Sequence, residues 1–177
     1  MPRVFVAAGS NVDPERHLAV AAAELQGSFG PVEFSPWYRN RALGFEGDDF
    51  INFVVGFESG LSVHEVVGEL RRIEALCGRP RGAPKWAPRT MDLDILLYGN
   101  LVCNEKGLIL PRPDLLRRPY MLGPLADLAP ELVHPTAHTT IGELWARFDH
   151  ASHPLVRVRA TLTSQRSDPR PPRESDR

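Results

Sequence analysis

Apolar residues change their spacing several times along the first hundred positions, and each change predicts a new element. Residues 3–8 are largely apolar, predict a first strand, and are followed by a Gly-Ser-Asn turn. Apolar residues then recur at helical spacing as far as Gly27, and Asp13 followed by Pro14 is typical of a helix start. The chain is therefore predicted to open with a strand and a helix.

Two further strands and a second helix are predicted next. Residues 31–40 favour a second strand, although Pro36 restricts it to an edge or a bulge. Residues 50–58 (FINFVVGFE) are rich in apolar residues and predict a third strand. Ser62 and Glu65 have the spacing of a capping box, which indicates the start of the second helix.

A fourth strand at 91–98 completes the order β-α-β-β-α-β. This order is typical of a ferredoxin-like α+β fold, an antiparallel sheet with both helices packed on one face. C-terminal additions are expected beyond it: a short strand near 108–110, helices around 121–129 and 140–149, and an edge strand within 155–163.

Composition narrows the class of protein. A chain of 177 residues with 42% hydrophobic residues suits a single domain, which we expect over residues 1–163, and the polar segment 164–177 is expected to be a disordered tail. Two cysteines without a pattern favour a reducing compartment. No stretch has the length of a membrane span, and the first apolar run makes a poor signal peptide, so we expect a cytoplasmic protein. A net charge of −1 gives no indication of a nucleic-acid or membrane partner.

The fourth strand carries two aspartates, Asp92 and Asp94, within an otherwise apolar run. Residues i and i+2 of a strand point to the same face, about 6.6–6.8 Å apart along the chain. Two neighbouring carboxylates repel one another, and their desolvation adds to the cost. A positive partner is therefore expected beside them.

Candidate cations lie just before this strand. The segment 71–89 contains six of them: Arg71, Arg72, Arg79, Arg81, Lys85 and Arg89. They are compatible with a solvated loop, but the whole set beside two strand aspartates favours a site for a polyphosphate with bridging Mg²⁺. Trp86 is suited to stack on an aromatic ring or simply to pack. The sequence contains no P-loop motif.

The segment 85–96 (KWAPRTMDLDIL) resembles the signature of the 6-hydroxymethyl-7,8-dihydropterin pyrophosphokinase family of folate biosynthesis. Flanking segments over residues 3–150 share the resemblance: 8–11 (AGSN), 38–39 (YR), 43–44 (LG), 50–52 (FIN), 72–74 (RIE), 78–79 (GR), 120–122 (YML), 124–125 (PL) and 129–132 (APEL).

The resemblance implies transfer of pyrophosphate from ATP to the hydroxymethyl group of the pterin, with AMP as the other product and two Mg²⁺ ions as cofactors. It implies that metal ions are held by Asp92 and Asp94, and that charge developing in the reaction is neutralised by Arg79 and Arg89. The residues implied on the nucleotide side are Glu74, Arg81, Trp86, Ile95, Arg112 and Arg118. The residues implied around the pterin are Leu43, Phe50, Asn52 and Tyr120, with the two aromatic rings enclosing the pterin.

The chain departs from the family pattern at two places. Arg112 stands where the family commonly has a histidine, which bears on the nucleotide contact at that position. Asn40 and Arg41 stand where Thr-Pro is usual, which bears on the pterin loop. We expect that neither difference breaks the metal site.

Two other functions fit parts of the pattern. A ferredoxin-like sheet can bind RNA through exposed aromatic residues, but the net charge and the two aspartates argue against it. A metal-dependent nucleotidyltransferase would use the same aspartates and would release pyrophosphate instead of AMP. We expect a monomer that binds ATP and the pterin, and the sequence leaves open whether it works beside other folate enzymes.

Overall fold

The computed structural model describes residues 1–41, 48–78 and 91–159. The strands are β1 (Arg3–Ser10), β2 (Val32–Phe34), β3 (Trp37–Asn40), β4 (Phe50–Glu58), β5 (Asp92–Tyr98), β6 (Cys103–Glu105), β7 (Leu108–Leu110) and β8 (Val156–Val158). The helices are α1 (Pro14–Phe29), α2 (Val63–Leu76), α3 (Pro119–Leu128) and α4 (Ile141–Ala146), with a 3-10 turn at Pro113–Leu116.

An antiparallel sheet of six strands forms the centre of the molecule. Its order is β5-β1-β4-β3-β8, and β2 also pairs with β4. A separate hairpin is formed by β6 and β7. The predicted α+β class with an antiparallel sheet is confirmed, and β1 lies between β4 and β5, the strand that carries the two aspartates.

Helices α1 and α2 pack on one face of the sheet. Their apolar stripes bury Leu18 and Leu25 from α1 and Leu70 and Ile73 from α2 in a core shared with alternate residues of the central strands. Burying each such side chain contributes about 1.5–3 kcal/mol, so this layer holds much of the stability. Helix α2 begins with the predicted capping box, in which Ser62 Oγ accepts from the Glu65 N–H and the Glu65 carboxylate accepts from the Ser62 N–H.

Helices α3 and α4 cover part of the opposite face. Met121, Leu122 and Leu125 of α3 are buried in a second core with residues from β1, β4 and β5. The two helices approach closely, since a Cβ added to Gly123 would lie 2.9 Å from the ring of Trp145. The sheet face is left accessible beyond the N-terminus of α3, where Arg118 and Tyr120 border a cleft.

The predicted second strand is two short strands separated by Ser35 and Pro36. Proline has no N–H to donate, so the ladder is interrupted there. Ser35 maintains the link to β4, because its N–H donates to the Val54 carbonyl at 2.8 Å and its hydroxyl accepts from the Val54 N–H at 2.9 Å. Of the two alternatives predicted for this segment, an edge or a bulge, the edge does not apply to β3, because β8 covers it.

The start and end of α1 differ from the prediction. Asp13 is at the N-cap position, but its φ of 42° is left-handed and its side chain makes no capping hydrogen bond. The helix continues past Gly27 to Phe29. The short strand near 108–110 and the edge strand within 155–163 are confirmed as β7 and β8.

None of the helices in the described ranges is long and apolar enough to cross a membrane. The predicted tail at 164–177 and its boundary at residue 163 lie outside the described residues.

Candidate active site

Three neighbouring strands place small or polar residues on the sheet face that α3 leaves accessible. Gly9 of β1 is paired with Asn52 of β4 on one side and with Asp92 of β5 on the other. Asp94 is paired with Ala7, two residues further along β1. Directly paired residues share a face, so the two aspartates and Asn52 project in the same direction, separated by the small residues of β1.

Gly9 allows the side chain of Asn52 to lie against β1. A Cβ at this position would be 2.4 Å from Asn52 Oδ1, which is too close for any real contact. The amide nitrogen Nδ2 of Asn52 donates to Asn40 Oδ1 on β3. The Asn52 amide is thus held by contacts on both sides, at the floor of the cleft.

A bulge in β5 connects the aspartate strand to the segment that follows the β6–β7 hairpin. The register of β5 shifts between Phe5 and Val6 of β1, which leaves Leu96 as the extra residue. The carbonyl oxygen of Leu96 accepts from the Arg112 N–H at 3.0 Å. This hydrogen bond fixes the main chain of Arg112 beside the aspartates.

The guanidinium of Arg112 lies between two carboxylates. Nη1 is 3.5 Å from Asp94 Oδ1, and Nη2 is 3.8 Å from Asp114 Oδ2. Nε of Arg112 is buried and has no hydrogen-bond partner among the described residues. The positive partner expected beside the aspartates is therefore present, and it comes from the segment that follows the β6–β7 hairpin. The predicted cations Arg79, Arg81, Lys85 and Arg89 lie outside the described residues.

A cleft of about 280 Å³ lies above this part of the sheet, between its end and the start of α3. The predicted site residues that line it are Phe50, Asn52, Asp92, Asp94, Arg112, Arg118 and Tyr120. Tyr120 is half-buried, and burial raises the pKa of its phenol above the usual value. Nearby charges act in both directions, since Asp94 raises this pKa and Arg112 lowers it. The phenol is therefore neutral at physiological pH, as suits a ring that stacks on a flat ligand.

A second cleft of about 300 Å³ adjoins the first. It lies between α2, β5 and the β6–β7 hairpin, and Glu74, Ile95, Asp94 and Arg112 are among the residues that line it. Asp94 and Arg112 line both clefts. These two residues therefore mark the junction at which ligands in the two clefts would meet.

Glu74 supports the aspartate strand directly. Its Oε1 accepts from the N–H of Leu93, the residue between the two aspartates, at 2.9 Å. β5 is an edge strand, so some of its N–H groups have no neighbouring strand to donate to. Glu74 accepts from one of them, and this hydrogen bond ties α2 to β5. Sequence reasoning assigned Glu74 to the nucleotide side and did not find this contact.

The remaining predicted residues lie outside the described part of the chain. These are Leu43, Arg79, Arg81, Trp86 and Arg89. Gly9, Asn40 and Asp114 were not predicted as site residues, although Gly9 and Asn40 belong to segments singled out in the sequence. The acceptor role of Asp114 had no local signal, since its partner Arg112 was assigned to a ligand.

The donor set of the site fits a hard divalent cation that also binds phosphate oxygens. No group of three or more His, Cys, Asp and Glu residues that could hold a metal ion occurs among the described residues. Magnesium, however, commonly uses one or two carboxylates and completes its shell with waters and substrate phosphates. Asp92 and Asp94, on one face of β5, match that requirement.

Comparisons with known proteins agree on one enzyme family. The family model described as 7,8-dihydro-6-hydroxymethylpterin-pyrophosphokinase (HPPK) matches residues 5–130. A 2-amino-4-hydroxy-6-hydroxymethyldihydropteridine pyrophosphokinase of Synechocystis sp. is 37% identical over 147 residues, which are 81% of this chain and 75% of that relative. The protein of the same name from Haemophilus influenzae is 34% identical over 162 residues, or 89% of this chain and 99% of the relative.

Solved structures support the fold. A wild-type HPPK-DHPS of Plasmodium falciparum, crystallised with SDX-DHP, has a TM-score of 0.66 and 14% sequence identity. The likeness covers 82% of this chain and 43% of that chain, so this chain spans less than half of its length.

Proposed function

This chain belongs to the 7,8-dihydro-6-hydroxymethylpterin-pyrophosphokinase family, and from that membership we propose how its residues divide the reaction between them. It transfers pyrophosphate from ATP to the hydroxymethyl group of 6-hydroxymethyl-7,8-dihydropterin in folate biosynthesis. The products are AMP and the pterin diphosphate.

Asp92 and Asp94 hold Mg²⁺ in this proposal, with two ions expected. The support is the pairing of both aspartates with β1, which turns them to the same face of the sheet at the floor of the first cleft. Bound Mg²⁺ would neutralise the phosphate charge that otherwise repels the attacking oxygen. The carboxylates position it, and their half-buried setting strengthens their charge interactions relative to those in water.

The pterin occupies the first cleft. The amide of Asn52 offers a donor and an acceptor to the edge of the pterin, and its position is defined by Gly9 and Asn40. Phe50 and Tyr120 line the same cleft and provide the two aromatic walls. The predicted contact from Leu43 belongs to this proposal as well.

ATP occupies the second cleft and extends its phosphates toward the junction. Glu74 and Ile95 border the nucleoside end, whereas Arg112 and Arg118 face the phosphates. The support is the position of Arg112 in both clefts. The proposed contacts of Arg79, Arg81, Trp86 and Arg89 rest on the sequence alone.

The reaction is an attack of the hydroxymethyl oxygen on the β-phosphorus of ATP. A bond forms between that oxygen and the β-phosphorus, the bond from the β-phosphorus to the α–β bridging oxygen breaks, and AMP leaves while the hydroxyl proton passes to solvent. The protein contributes chiefly by holding the two substrates in line and by balancing charge. The observation that carries the proposal is the meeting of the two clefts at Asp94 and Arg112.

Product identification tests this function most directly. The chain should convert ATP and 6-hydroxymethyl-7,8-dihydropterin, in the presence of Mg²⁺, to AMP and the pterin diphosphate in equal amounts. Release of ADP would indicate transfer of a single phosphoryl group, and release of pyrophosphate would indicate a nucleotidyltransferase. AMP formed without the pterin would indicate hydrolysis.

The proposal also includes the fold description, the location and the oligomeric state. The order β5-β1-β4-β3 with α1 and α2 on one face supports the ferredoxin-like description of the sheet. A cytoplasmic location and a monomeric state stay predictions from the sequence. Size-exclusion chromatography with light scattering measures the oligomeric state.

A further inference from the structure

Arg112 combines a fixed main chain with a side chain that reaches an aspartate of the proposed metal site. Its N–H donates to the Leu96 carbonyl at 3.0 Å, at the bulge of β5. Its guanidinium is 3.5 Å from Asp94 and 3.8 Å from Asp114, measured between the nearest nitrogen and oxygen atoms. A cation is therefore stationed beside Asp94.

The contacts of this guanidinium are electrostatic and loose. Both N–O separations exceed the 2.7–3.2 Å that is usual for a hydrogen bond of this type. Nε is buried without a hydrogen-bond partner in the described part of the chain. The Arg112 side chain is about 33% exposed, so it has room to rotate. Such a group can exchange one anionic partner for another without breaking a well-formed hydrogen bond.

We propose that Arg112 is an exchangeable counter-ion of Asp94. It neutralises Asp94 before ligands bind. When Asp94 binds a divalent cation, Arg112 moves to the phosphates of the nucleotide. The inference rests on the proposed function, in which Asp94 holds a metal ion. A bound divalent cation would repel the guanidinium and reduce its attraction to Asp94. Because Arg112 borders both clefts, rotation of its side chain alone brings it to an anion in the second cleft.

This arrangement gives Arg112 opposite effects on the two ligands. Before the nucleotide binds, the guanidinium competes with the metal for Asp94 and weakens metal binding. When the nucleotide is present, the same guanidinium adds a favourable contact to its phosphates. Asp114, which also faces the guanidinium, offers it a second anion and so lowers the cost of leaving Asp94.

The test measures binding instead of turnover. Titration calorimetry of Mn²⁺ into the full chain, at low ionic strength and without nucleotide, compares the unmodified protein with Arg112→Gln, Arg112→Lys and Arg117→Gln. Arg117 is exposed and lies in the same segment, so its substitution controls for the change in net charge. A second titration uses a non-hydrolysable ATP analogue with saturating Mn²⁺.

Arg112→Gln should bind Mn²⁺ about two- to five-fold more tightly than the unmodified chain, as expected for loss of a partly exposed ion pair. It should bind the ATP analogue more weakly. Arg112→Lys retains the charge and should stay close to the unmodified chain in the Mn²⁺ titration, and Arg117→Gln should change neither affinity by more than about 1.5-fold.

Mn²⁺ affinity in Arg112→Gln that is equal to or weaker than that of the unmodified chain would overturn the inference. Unchanged affinity for the analogue would overturn the exchange of partners. Asp94→Asn, titrated in parallel, separates this inference from the function on which it rests. If Mn²⁺ binding does not depend on Asp94, the proposed metal role of that residue fails and the counter-ion role fails with it, whereas AMP formation by the unmodified chain is tested independently.

Discussion

The side chain of Asn52 lies against Gly9 on the neighbouring strand, so close that a Cβ on Gly9 would be 2.4 Å from Asn52 Oδ1. Gly9→Ala should therefore displace the amide of Asn52 and break its hydrogen bond to Asn40. We expect pterin affinity to fall about three- to ten-fold, the loss expected for one hydrogen bond, while affinity for an ATP analogue is retained. Titration calorimetry of each ligand checks the expectation.

Gly68→Ala is the matched control for this substitution. Gly68 lies in α2, and a Cβ there would meet no atom within 4 Å. Alanine in a helix should raise the free energy of unfolding by up to about 1 kcal/mol without affecting pterin binding. Pterin affinity that is unchanged in Gly9→Ala would show that the position of Asn52 is not critical for binding.

Asp92→Asn and Asp94→Asn should each lower turnover by about two orders of magnitude or more at saturating Mg²⁺, because each removes one anionic ligand of the proposed metal site. Both variants should melt within about 2 °C of the unmodified chain, since the carboxylates are half-buried and their ion pairs contribute little to stability. Turnover is measured by AMP release and melting by circular dichroism. Glu131→Gln, an exposed carboxylate after α3, is the control. Near-normal turnover in either aspartate variant contradicts the assignment.

Tyr120→Ala should weaken pterin binding by about two- to ten-fold in the presence of an ATP analogue, since it removes one wall of the proposed stack. Tyr120→Phe keeps the ring and loses the hydroxyl, so its pterin affinity should lie closer to that of the unmodified chain. Calorimetry measures both affinities. An equal loss of both ligands in Tyr120→Ala would indicate general damage to the fold.

Glu74→Ala should loosen β5 between the two aspartates, because it removes the acceptor for the Leu93 N–H. We expect slower turnover and faster amide exchange at Leu93, measured by hydrogen exchange. Glu74→Gln retains a carbonyl oxygen at the same place and should restore protection of that amide. If Glu74 acts solely through its charge, Glu74→Gln will behave like Glu74→Ala, and protection at Leu93 will be unchanged in both.

His134 should make stability depend on pH. It is 2% exposed, and its Nδ1 accepts from the N–H groups of Thr136 and Ala137 at 3.3 and 3.1 Å, which requires the neutral ring. Burial, and then the charge of His138, lowers its pKa below the ordinary value of 6.5. The unfolded chain therefore binds a proton more readily, so the stability from the neutral ring is complete above pH 6.5 and is lost as the pH falls through the lowered pKa.

Urea denaturation at pH 7.5 and at decreasing pH values measures this loss. His134→Asn can accept the same turn hydrogen bonds and should be less stable at pH 7.5, with a smaller further loss in acid. His138→Asn keeps a residue that tolerates the left-handed φ of 53° and should retain most of the pH dependence. An identical pH dependence in His134→Asn and the unmodified chain would contradict the role of His134.

Local features of the sequence were sufficient to predict much of the fold. The capping box of Ser62 and Glu65 follows from residue types three positions apart, and the shared face of Asp92 and Asp94 follows from the strand period. Pro36 could be recognised as an irregularity, but the continued pairing through the Ser35 hydroxyl depends on Val54, which is distant in sequence.

The parts of the site that could not be predicted depend on residues far apart in the chain. Arg112 reaches Asp94 because a bulge offers it the Leu96 carbonyl, and no spacing rule indicates that bulge. The close approach of Gly9 and Asn52 depends on the register of two strands. Hydrophobic patterns specify which face a residue occupies, whereas such contacts depend on how strands are aligned.

The extra residue in β5 also has a consequence for how this enzyme can change over time. Leu96 and Leu97 both pack in the second core, whereas Tyr98 packs with the first, so the bulge reverses the alternation of faces along the strand. Deleting one leucine would put the aspartates or the C-terminal half of the strand on the wrong side. An insertion or deletion in this strand should therefore be tolerated far less well than the exchange of one of its apolar side chains for another.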